Sequence, residues 1–142
     1  MAMKPQLIDL LEAMKALGLK PMHELSPVDA RIQMEAGVKA RDFPTVVVGE
    51  VEDRTVPGPA GEIPVRTYRP ANASGATGAL VYFHGGGHVI GSPDSHDSVA
   101  RAMCRDAGVF VLSVDYRMGP EAKFPAAVDD CYAATKWLSD NA

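Results

Sequence analysis

Nowhere does the chain run to the roughly 20 consecutive apolar residues that a membrane-crossing helix needs, so no membrane partner is expected. Its opening, Met1-Ala2-Met3-Lys4-Pro5, leads into residues that Asp9 and Glu12 interrupt. That is not the unbroken apolar core of a secretion signal, and a cytoplasmic location is expected. An excess of cations is missing too: 14 Lys and Arg stand against 18 Asp and Glu, a net charge of −4. This argues against nucleic acid, whose affinity rests on clustered cations. Cysteine is scarce. Cys104 and Cys131 fall in separate helical stretches and lack the dense spacing of a disulfide framework or metal site, so they read as reduced packing residues. Asn72-Ala73-Ser74 has the form of a glycosylation sequon, read as chance without a secretion signal. What is present is ordinary: 142 residues, 46% apolar and 23% charged, the length of one globular domain with no internal repeat or low-complexity tract.

Residues 1–45 read as two helices forming an N-terminal appendage. Leu7, Leu10, Leu11 and Met14 recur at i, i+3, i+4 and i+7, with Gly18 placed to close the helix. Ser26-Pro27 opens a second helix, with Ser as N-cap, Pro in the first turn and Asp29 beside the positive end. Its stripe of Val28, Ile32 and Val38 is broken by Glu35. From Thr45 the pattern turns to strands. Residues 45–55 and 63–68, joined across Pro57-Gly58-Pro59-Ala60-Gly61, predict neighbouring antiparallel strands with one wet face. Residues 71–78 form a loop. Residues 79–83 and 109–114 are apolar without alternation, as strands covered on both faces are. Helices are predicted between them, at 98–106, and after them, at 126–139. Strand, helix, strand, helix implies an α/β fold with a parallel sheet.

Chemistry concentrates in His84-Gly85-Gly86-Gly87-His88-Val89-Ile90-Gly91-Ser92, directly after an apolar strand. Three successive glycines are entropically costly, and bare backbone lets N–H groups approach developing negative charge. A phosphate loop fits neither G-x-G-x-x-G nor the P-loop pattern. A metal site from His84, His88, His96 and Asp94 would require a glycine loop to hold its ligands rigidly. An oxyanion hole is the third reading, and it matches the H-G-G-G loop of lipases and esterases. Arg117 and Glu121, at i and i+4, predict a local ion pair that braces a turn. Asp94, Ser95, His96 and Asp97 predict a helix N-cap region. Asp129 and Asp130 suit the start of a helix dipole.

With His84-Gly85-Gly86-Gly87, and with Val114-Asp115-Tyr116-Arg117-Met118-Gly119-Pro120-Glu121 running on through Phe124-Pro125-Ala126-Ala127, the chain resembles the N-terminal half of a bacterial hormone-sensitive-lipase-type carboxylesterase of the α/β-hydrolase superfamily. The Ser26-Pro27-Val28-Asp29-Ala30-Arg31 start of the second helix is similar to cap segments of that family. The resemblance implies cap helices over 1–45 and the first half of an α/β-hydrolase core over 46–142. It implies ester hydrolysis by a serine nucleophile with no cofactor and no metal. Gly85, Gly86 and Gly87 would form the oxyanion hole, with Gly86 and Gly87 donating N–H bonds. His84 would support the loop, and His88 would line the substrate pocket. Alanine at Gly86 is then expected to cut turnover more than stability.

No Gly-x-Ser-x-Gly occurs. Nucleophile, acid and base are expected in a missing C-terminal half, and this chain alone is expected to be inactive. The expected partners are a small ester, that missing half, and in isolation a second copy, because the resemblance places 109–114 on one side of strand 79–83 and leaves its other edge free. The alternative is a non-catalytic acyl- or carboxylate-binding or self-associating fragment.

Overall fold

The structure is a computed structural model of the chain and describes residues 3–40, 44–73, 75 and 77–141. Among these, the elements follow in the order α1 (Pro5–Ala16), a 3-10 turn at Met22–Glu24, α2 (Pro27–Ala40), β1 (Glu50–Gly58), β2 (Gly61–Arg69), β3 (Ala79–Phe83), α3 (Asp97–Ala107), β4 (Phe110–Val114) and α4 (Ala126–Asn141). The sheet has the order β1-β2-β4-β3. β1 and β2 form the expected antiparallel hairpin, β2 and β4 are antiparallel, and β3 and β4 are parallel with α3 as their crossover.

Side chains alternating across the pleat split the core in two. Leu112 and Val114 of β4 join Val56, Ile63 and Val65 under Ala134 and Leu138 of α4. Val111 turns the other way, with Tyr68, onto Ala100 and Cys104 of α3. Both cysteines are free, Cys104 buried and Cys131 half-buried, on separate helices as read from the sequence.

The strand expected over 45–55 begins only at Glu50, which pairs with Arg69. The ladder stops there because the next residue of β2's chain is Pro70, which has no N–H to donate. The strand at 79–83 is not covered on both faces. Ala79 and Phe83 are exposed and Leu80, Val81 and Tyr82 only half-buried, because β3 lies at the sheet edge. β4 meets the expectation, with Val111 through Val114 buried. The helix expected over 98–106 runs from Asp97 to Ala107, and that over 126–139 extends to Asn141.

The appendage helices form with the predicted ends. Gly18, at φ 62°, closes α1 by donating to the Lys15 carbonyl at 3.0 Å. Ser26 Oγ accepts the Asp29 N–H at 3.1 Å and donates to its carboxylate at 2.7 Å, capping α2. Their apolar stripes are not what is buried: Leu7, Leu11, Met14, Val28 and Ile32 are all exposed, while Ala30 is buried. The side chain of Leu10 and Ser74 of the sequon lie outside the described residues.

Candidate functional site

The chain leaves β3 at Phe83 and enters a tight turn in which Gly86 (φ 129°), Gly87 (φ 63°), His88 (φ 58°) and Gly91 (φ 103°) all occupy conformations that favour glycine. The Gly86 carbonyl accepts the N–H groups of both Val89 and Ile90 at 3.1 Å. Among the described residues, the N–H groups of Gly86 and Gly87 have no acceptor. A Cβ on Gly86 would run into the Ile90 carbonyl, and one on Gly91 would lie 2.5 Å from His84 Nδ1 and 2.6 Å from the Gly85 carbonyl. At Gly85 and Gly87 nothing stands within 4 Å of that position. Alanine at Gly86 therefore collides with the loop itself. This overlap argues against the expected separation of turnover from stability at that position, because the glycine is required by shape.

His84 is buried beneath the loop. Its ring stacks on Tyr116 at 4.5 Å between centroids and on His96 at 5.4 Å. Nδ1 lies 3.0 Å from the Gly85 carbonyl, and Nε2 is buried without a partner among the described residues. Tyr116 donates its hydroxyl to the His84 carbonyl at 2.6 Å, fixing the chain where it leaves the strand. Burial, working against the Gly85 carbonyl, holds the His84 imidazole below its ordinary value, so the group is neutral near pH 7. Asp115, next along β4's chain, is pushed up by burial.

His88 is exposed, with its ring tilted against Tyr116 at 5.7 Å. Its carbonyl accepts the Gly119 N–H at 2.8 Å, joining the glycine loop to the turn after β4. The polar run after the loop only partly caps α3. His96 is the N-cap residue but makes no side-chain cap bond. Ser92 and Ser95 instead bond each other, Ser92 N–H to Ser95 Oγ at 2.8 Å and Ser95 N–H to Ser92 Oγ at 3.1 Å. Asp94 and Asp97 both face Arg66, at 2.7 and 3.6 Å. Among the described residues no three His, Cys, Asp or Glu side chains are grouped to hold a metal ion.

The expected Arg117–Glu121 pair does not form. Arg117 reaches Asp130 of α4, Nη2 to Oδ1 at 2.7 Å, and its own N–H donates to Asp130 Oδ2 at 3.0 Å. Glu121 pairs instead with Arg31 of α2 at 2.8 Å. Two partners across tertiary space, each offering a forked or repeated bond, outcompete one neighbour four residues away. Asp130 is thus more than a helix-dipole residue: it is 1% exposed and ties α4 to the turn after β4. Arg31, Glu35, Gly91 and Asp130 were not read as site-forming from the sequence. Of these, Gly91 was the accessible one, as a fourth glycine following the loop.

The fold that carries this loop recurs in solved esterases. A hyperthermophilic esterase from the archaeon Pyrobaculum calidifontis superposes with a TM-score of 0.87 at 40% identity, over 99% of this chain and 45% of that one. A family model described as alpha/beta hydrolase fold matches residues 80–142. The chain belongs to the α/β-hydrolases. Within them it corresponds to the N-terminal part of the hormone-sensitive-lipase-type esterases. It is 50% identical to the carboxylic ester hydrolase LipN of Mycobacterium tuberculosis over 81% of its length and 30% of that relative's. It is 38% identical to an ethyl acetate hydrolase of Pseudomonas putida over its whole length and 47% of the relative's. The chain thus spans between about a third and a half of the length of these two relatives. No helix among the described residues is long and apolar enough to cross a membrane.

Proposed function

We propose that this α/β-hydrolase chain supplies the oxyanion hole of a carboxylic ester hydrolase. The observation that carries the reading is the pair of N–H groups at Gly86 and Gly87, without acceptors among the described residues, in a Cβ-poor loop. Such donors stabilise the negative oxygen that forms when an ester carbonyl is attacked, each by roughly 3–4 kcal/mol. Neutral, buried His84 supports the loop from below, Gly85 gives it room, and exposed His88 borders the side from which an ester approaches. The serine nucleophile, acid and base come from residues beyond these 142, in keeping with the longer relatives and with the absence of Gly-x-Ser-x-Gly here. In the same reading, 1–45 is cap, 46–142 is core, and the site works in the cytoplasm.

Hydrolysis of p-nitrophenyl acetate and of its thiono analogue tests this. The full-length enzyme is expected to favour the oxygen ester by a larger factor than uncatalysed hydrolysis does, because the hole is shaped for oxygen. The 142-residue chain alone is expected to give neither turnover nor an acylation burst. Equal enzymatic and uncatalysed ratios, or a stoichiometric burst from the isolated chain, overturn the assignment.

A further inference from the structure

Arg31 and Glu35 stand one turn apart on α2, on the side facing the glycine loop. Arg31 Nε donates to the Val89 carbonyl and Nη2 to the Gly119 carbonyl, each at 2.7 Å. The same guanidinium meets both Glu121 oxygens, at 2.9 and 2.8 Å. One turn on, Glu35 accepts the Ser92 hydroxyl at 2.6 Å. Helix α2 therefore holds the loop on both sides of Gly91, and Arg31 holds the turn at Gly119 as well. Burial of α2's apolar residues explains its position only in part: Ala30 is buried, but Met34 and Val38 are half-buried and Val28 and Ile32 face solvent. The loop, in turn, lacks the means to hold itself: its positive-φ glycines carry no side chains to pack and the most backbone freedom to lose.

We propose that Arg31 is the positioning residue of the glycine loop, with Glu35 as the second hold, so that α2 sets how the Gly86 and Gly87 N–H groups are aimed. The catalytic consequence rests on the hydrolase reading; the hold itself does not. The fork matters because two carbonyls and a carboxylate are bonded together from one planar group. A lysine ammonium, a point charge on a flexible stem, cannot reproduce that arrangement.

Amide hydrogen exchange in the full-length protein reads the hold at Val89, Ile90 and Gly119, whose N–H groups bond within the joined loops. The amides of Val111 to Ser113 in β4 serve as the internal reference. Arg31→Ala is expected to speed loop exchange at least tenfold and leave β4 unchanged. Arg31→Lys is expected to recover less than half of that loss on a logarithmic scale. Added ethylguanidinium should restore protection to Arg31→Ala, and ethylammonium should not. Loop exchange within twofold of wild type, an equal acceleration in β4, or rescue by ethylammonium overturns the proposal. With p-nitrophenyl acetate, Arg31→Ala is expected to lower kcat at least tenfold with KM within threefold; an unchanged kcat overturns the aiming role. A wild-type protein that hydrolyses no ester would defeat the hydrolase reading alone, since exchange decides the hold independently.

Discussion

Gly86 and Gly91 already have their Cβ positions occupied, by the Ile90 carbonyl and by His84 with Gly85, whereas Gly85 has open space there and no positive φ. Gly86→Ala is therefore expected to cost about 3 kcal/mol or more and to lose loop order together with activity. Gly85→Ala should fold with wild-type stability, and chemical denaturation of the two variants side by side checks the contrast. His84 gives a pH signature. Its folded-state pKa lies below the unfolded value of about 6.5, so the folded protein binds its proton less readily. That contribution is complete above about pH 6.5 and is lost as the pH falls below it, with a slope of at most about 1.4 kcal/mol per pH unit for one proton. His84→Gln should flatten the melting-temperature profile between pH 7.5 and 5.5; an unaltered slope would mean the imidazole titrates freely. At this scale the glycine cluster was legible, because three successive glycines are costly and require a reason. Which glycine is needed for shape and which for access was not, since that depends on where Ile90 and His84 fold back.

Helix α2 and the turn after β4 show what an element's own sequence hides. Residues 26–31 announce the cap and start of α2 through local chemistry, and the structure agrees residue by residue. The binding face does not announce itself, because Arg31 meets Glu121 across 90 positions of chain and Glu35 meets Ser92 across 57. The i, i+4 spacing of Arg117 and Glu121 suggested one pair where the fold makes two. Those two differ in consequence. Asp130 is buried; burial raises its carboxyl, but the bonds from Arg117 outweigh this and hold it below the usual range. Asp130→Ala would leave the Arg117 N–H without its acceptor, a loss of about 1–3 kcal/mol for that donor alone, visible as a lower melting temperature. Glu121 is exposed, and Arg31 pulls its carboxyl down to about 2. Its contribution is present above the ordinary value near 4.5 and disappears as the pH falls towards 2, so Glu121→Gln should lower stability slightly at pH 7 and leave it unchanged near pH 2. A large drop in melting temperature at pH 7 for Glu121→Gln, with none for Asp130→Ala, would reverse these assignments.

At the scale of the whole chain, one long side of β3 has no partner among the described residues, and no charged residue lies between Ala79 and Phe83 to protect it. Phe124, Val128 and Tyr132 add an exposed apolar stripe on and before α4. The 142-residue chain is accordingly expected to self-associate at micromolar concentration unless residues that belong beyond it are supplied, and sedimentation velocity is the check. A monodisperse monomer with cooperative unfolding would show that the edge is tolerated. The hairpin, the loop and the parallel strand pair were all legible in outline, because alternation, turn residues and unbroken apolar runs are local signals. The edge position of β3 was not visible in its apolarity, which looks the same for a strand with one neighbour or two; it was legible only through the resemblance, which leaves residues 79–83 beside 109–114 alone, as the strand order has it. The strand order also bears on synthesis. β4 pairs with both β2 and β3 although it follows them in the chain, so it is the member that unites the sheet. At translation rates of about 5–20 residues per second, β3 is made roughly 1.5–6 s before β4. During that interval the nascent chain carries a bare apolar strand with nothing to zip to, the kind of segment a ribosome-associated chaperone grasps. Release should then be timed by the appearance of residues 110–114 rather than by completion of the glycine loop.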